Sequence, residues 1–124
     1  MYNYASMILI AAAVCLAGCG SDTTTQSDDC NTILSASDSS FKKVATLFNN
    51  SGRKSCDSCH NTQEPIKGYN FETSAAIFNE LTTKYASVYH SVVTGKMPEH
   101  GTRWNADDLN ILRSWRCNGS QYEP

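Results

Sequence analysis

The residues whose types and spacing can do chemistry are Cys56-Asp57-Ser58-Cys59-His60. Two thiols with two residues between them, followed at once by an imidazole, suit three kinds of site. They are a redox dithiol, half of a tetrahedral zinc site, and the covalent seat of a haem. In the third, the sulfurs add across two vinyl groups and the histidine becomes an iron ligand. A turn of two intervening residues sets both sulfurs along one porphyrin edge and lets the next side chain swing beneath the iron. Further on, Gly95-Lys96-Met97-Pro98 offers a thioether next to a proline that fixes its own φ. The soft thioether sulfur of Met97 is a ligand type that suits iron. His100, close behind, competes for that role, whereas His90 reads as a helix-surface residue.

The elements that must position these residues are helical. Phe41, Val44, Ala45 and Phe48 repeat at i, i+3, i+4, i+7 behind the candidate caps Asp38 to Ser40, and Asn49-Asn50-Ser51-Gly52 ends the run. A second helix is predicted from Thr73 to Lys84 on Ala76, Ile77, Glu80 and Leu81, and a short third from Ser87 to Thr94, stopped by Gly95. A last helix runs from Ala106 to Arg116. Asn105 caps it, Asp107 and Asp108 suit its positive end, Arg113 and Arg116 its negative end, and Leu109, Ile111, Leu112 and Trp115 point inward.

No segment alternates like a strand, so the expected class is all-α, with three to four short helices. In roughly 80 ordered residues such helices make a thin core. A buried haem would supply the missing apolar volume. A thioredoxin-like dithiol normally sits in an α/β context, which this pattern lacks. Zinc would need His90 or His100 beside Cys56 and Cys59, and neither belongs to a second close-spaced ligand pair.

Composition agrees with one small domain: 124 residues, 40% hydrophobic, 18% charged, formal net charge -2. That balance gives no basic field for nucleic acid. Residues Met7 to Ala17 are an apolar run too short to span a bilayer, and they lead into Leu16-Ala17-Gly18-Cys19. The quartet resembles the lipobox of bacterial lipoproteins. The resemblance implies a signal peptide over 1–18, acylation of Cys19, and a chain held outside the cytoplasm by lipid. With Gly20 in place of an inner-membrane retention Asp, an outer-membrane address in a Gram-negative bacterium is expected. Residues 19–40 are rich in Ser, Thr and Asp and read as a flexible tether.

From Phe41 to about Gly119 the chain resembles monohaem class I cytochrome c domains, on the strength of CDSCH, GKMP and the helices around them. That resemblance implies a haem domain over 41–119 and a short tail over 120–124. It implies one covalent haem c on Cys56 and Cys59, with His60 and Met97 on the iron. It also places a carbonyl near Pro65 as acceptor for the free N–H of His60, and crosses the first and last helices at Ala45 and Trp115. The expected pocket residues are Ile66, Tyr69, Phe71, Leu81 and Val93, with Ile77 and Val92. Cys30 and Cys117 then remain as a disulfide pair in an oxidising compartment.

With both axial positions filled, the iron suits electron transfer rather than catalysis. The expectation is therefore a monomeric, membrane-tethered electron carrier and not an enzyme, with Lys54, Lys67 and Lys96 facing its redox partners. The alternatives are a haem peroxidase or gas or redox sensor with an open iron, and a zinc or dithiol structural lipoprotein.

Overall fold

The computed structural model describes residues 30–50 and 55–123. Within them the chain is helical: α1 is Phe41–Phe48, α2 is Ser74–Val93 and α3 is Ala106–Cys117, with short 3₁₀ turns at Cys56–Ser58 and Ile66–Gly68. No strand is present among the described residues. Helix α1 packs against both α2 and α3.

Helix α1 buries Phe41, Val44, Ala45, Leu47 and Phe48, the apolar face that the periodicity marks. Phe41 meets Trp115 of α3 at 5.8 Å between ring centroids and Phe78 of α2 edge-on at 5.5 Å. Helix α3 begins with a reciprocal cap. The Asn105 side chain accepts from the Asp108 N–H at 2.9 Å, and the Asp108 carboxylate accepts from the Asn105 N–H at 2.9 Å.

Helix α2 spans both expected segments, which meet at a kink at Lys84, the predicted end of the first. Thr73 caps its start, and the helix continues to Val93 with non-helical φ/ψ at Lys84 alone (φ -130°, ψ 26°). The two segments join because Ile77, Leu81, Tyr85, Val88 and Val92 form one buried stripe across the irregular residue. Beyond the Thr94 cap, Gly95 has φ 71°, the left-handed conformation that ends a helix without a Cβ penalty.

Two boundaries also move. Residues 30–40 belong to the folded body rather than to a tether. Their backbone is held by α3: Ser114 Oγ accepts from the Leu34 N–H at 2.9 Å, Asn118 Nδ2 donates to Leu34 O at 3.0 Å, and Arg113 Nη2 donates to Thr32 O at 2.7 Å. Ser39 is fully buried in the same region. Polar partners, not apolar ones, dock this segment, so its low hydrophobicity says little about its order. Residues 120–123 are likewise no free tail, since Trp115 Nε1 donates to Gln121 O and Tyr122 stacks near Phe78 and Phe41.

Cys30 and Cys117 are bridged, with Cα atoms 5.7 Å apart, which closes the docked segment onto the end of α3. Replacing both by serine should lower the unfolding free energy by about 2–4 kcal/mol. Urea denaturation measures this, and an unchanged midpoint would show that the polar contacts hold the segment unaided.

Candidate functional site

The Cys56-Asp57-Ser58-Cys59-His60 turn is fixed by its own backbone. Cys56 O accepts from the N–H groups of Cys59 at 3.3 Å and His60 at 2.9 Å, Ser58 Oγ donates to Ser55 O at 2.6 Å, and Asn61 Nδ2 donates to Asp57 O at 2.9 Å. The tight turn leaves Cys56 and Cys59 half-buried with free thiols and His60 buried.

His60 is oriented on three sides. Its backbone carbonyl accepts from the Phe71 N–H at 2.7 Å, and its ring meets Tyr69 and Phe71 edge-on at 5.9 and 5.6 Å. Its Nδ1 lies 3.0 Å from Ile66 O. A carbonyl can only accept, so Nδ1 is the donor, and in the neutral ring Nε2 then holds the lone pair that can take a ligand. Ile66 directly follows Pro65, the neighbourhood in which such an acceptor is expected.

Cys56, Cys59, His60 and Met97 all line one cavity of about 370 Å³. Its size falls within the range of small-molecule and cofactor sites. Phe48, Ile66, Tyr69, Phe71, Val88 and Val92 supply its apolar walls. Ser91, the last turn of α2, fixes the far loop by accepting the Met97 N–H on its carbonyl at 3.0 Å. Two thiols, one imidazole nitrogen and one thioether around a mainly apolar hollow form a donor set that fits haem c.

Burial, and secondarily the Asp57 carboxylate, pushes the Cys56 thiol from 9.0 up to about 11. A redox-active cysteine needs the opposite shift. In chain without haem, Cys56 should alkylate at pH 7 about 100-fold more slowly than an unperturbed thiol, because its thiolate fraction is lower by that factor. The raised value also has a sign for stability. The contribution is intact below pH 9 and is lost as pH rises through about 11. Thiol labelling against pH reads the first effect and urea melts read the second; ordinary labelling at pH 7 would contradict the burial.

Several expected residues lie elsewhere. Leu81 and Ile77 are fully buried in the helical core and do not line the cavity. Only the C-terminal end of α2 reaches it, and Leu81 stands about two helical turns before Val88. Val93 is 38% exposed, because the helical period turns it away when Val92 faces inward. His90 and His100 are exposed and absent from the lining.

Among the described residues no three His, Cys, Asp or Glu side chains form a metal-binding group, so neither histidine completes a zinc set with Cys56 and Cys59. Cys19 and Lys54 lie outside the described residues, while Lys67 and Lys96 line the cavity together with Glu99. Phe48 and Val88 were missed as lining residues. Phe48 ends the buried face of α1 just ahead of the motif, and Val88 precedes Val92 by one turn, which are the signals that mark them.

Comparison with protein-family models, with curated proteins and with solved structures finds no match to this chain.

Proposed function

We propose that the protein is a monohaem c-type cytochrome, lipid-anchored outside the cytoplasm, that carries single electrons between redox partners. The observation that carries this reading is the His60 Nδ1–H bond to Ile66 O, which reserves Nε2 for iron within a cavity that also contains Cys56, Cys59 and Met97. When bound, haem would supply a one-electron Fe(III)/Fe(II) couple. Cys56 and Cys59 would hold it through thioethers, and His60 and Met97 would ligate its iron. Phe48, Phe71, Val88 and Val92 would limit water around it, and Met97, as a soft, neutral donor, would favour the reduced state.

The membrane anchor rests on Leu16-Ala17-Gly18-Cys19, which lies outside the described residues. The Cys30–Cys117 bridge suits an oxidising compartment beyond the inner membrane. An outer-membrane address and a monomeric haem domain complete the proposal.

Intact mass and visible spectra of the chain made with haem-maturation machinery test it. The expected result is one covalent haem, a sharp reduced α-band, and the weak far-red band of thioether sulfur on ferric iron. Haem without that far-red band would point to an open iron, and a chain with no covalent haem would overturn the reading.

A further inference from the structure

The Ile66 carbonyl that receives His60 Nδ1–H also accepts the Tyr69 N–H at 3.3 Å. Tyr69 therefore fixes that carbonyl, and α2 holds Tyr69 from both sides. Before it, Gly68 O accepts from Lys84 Nζ at 2.8 Å. After it, the Asn70 N–H donates to Oε1 of the buried Glu80 at 3.2 Å. Lys84 Nζ lies 2.8 Å from Glu80 Oε2 and 4.9 Å from the centroid of the Tyr69 ring. One ion pair on one helix thus clamps three successive residues of the loop that carries the histidine's acceptor.

This arrangement has an electronic consequence. A carbonyl held firmly against Nδ1–H gives the imidazole more anionic character and makes Nε2 a stronger donor. A loose carbonyl does the reverse. Lys84 has no place in the cavity lining, and Glu80 has none either, so both act at a distance through the loop.

We infer that the Glu80–Lys84 pair positions the Ile66 carbonyl and thereby sets the donor strength of His60. The inference deepens the haem reading and rests on it for its redox readout. Lys84→Met separates positioning from simple charge. Through-space loss of a positive charge would stabilise the ferric state and lower the potential. Loosening the Ile66 acceptor weakens His60 as a donor and raises it, so the expected result is a shift of about threefold in the Fe(III)/Fe(II) equilibrium constant toward Fe(II). Lys84→Arg keeps both the charge and a donor for Gly68 O, and should restore the parent value.

A second readout needs no haem. Solvent exchange of the His60 Nδ1–H, followed by NMR, should be about tenfold faster in Lys84→Met while amides of α3 are unchanged. A lowered or unaltered potential in Lys84→Met overturns the inference, as does unaltered Nδ1–H exchange. If mass shows no covalent haem, the function reading falls, and the exchange experiment still decides whether the pair braces His60.

Discussion

A chain carrying Cys56→Ser and Cys59→Ser together should leave haem-maturation cells with no covalent haem at all. The parent should carry one. Both thiols line the cavity and neither is in a disulfide. The raised Cys56 thiol argues against a reactive dithiol, and no three His, Cys, Asp or Glu side chains are grouped for a metal among the described residues. The same substitution should destabilise the fold. Without the proposed haem, Phe48, Phe71, Val88 and Val92 would face an apolar hollow, which forfeits at least about 3 kcal/mol, the burial of one to two large aliphatic side chains. Intact mass measures the first effect and urea denaturation against the holoprotein the second. Equal masses for parent and variant would end the haem reading.

The second large effect concerns Met97. If Met97 ligates haem iron as proposed, carbon monoxide should bind the reduced parent only after Met97 leaves the iron. If that open form is about 1% of molecules, Met97→Ala should raise the apparent affinity about 100-fold by making every molecule competent. His100→Ala should change nothing, since His100 is exposed and outside the cavity lining. Carbon monoxide titration of both variants beside the parent checks this. Tight binding by the parent itself would turn the proposal toward a sensor or peroxidase with an open iron.

Much of the frame that serves the site was legible in the residues. The periodicity located α1 and α3, and Asn105 announced the cap that starts α3, though not its reciprocal bond from Asp108. The motif and Met97, far apart in sequence, line one cavity, and Pro65 marked the neighbourhood of the acceptor for His60. What was not legible depends on tertiary placement. Leu81 and Val92 share a helix face, and only docking shows which end of that face meets the cavity. The segment 30–40 read as a tether because its composition is polar, yet Ser114, Asn118 and Arg113 satisfy its backbone groups. Glu80 read as part of a helical repeat; its burial and its bond to Asn70 appear only when the loop folds back over α2.

The course of α2 through its kink at Lys84 has a mechanical meaning. The segment of α2 up to the kink braces the loop behind His60 through Glu80 and Lys84, and the segment beyond it carries Ser91, which anchors the backbone of Met97. The distance between those two loops is consequently gauged by the helix itself, about 10 Å from Lys84 to Ser91 at 1.5 Å per residue. A gauge of this kind tolerates exchanges of side chain on its outer face but not a change in the number of residues along it. Each added or removed residue would also turn Ser91 by about 100° around the axis. The irregular Lys84 backbone sits at one end of that span, so a small change of bend there is converted into a change of aperture between the two loops.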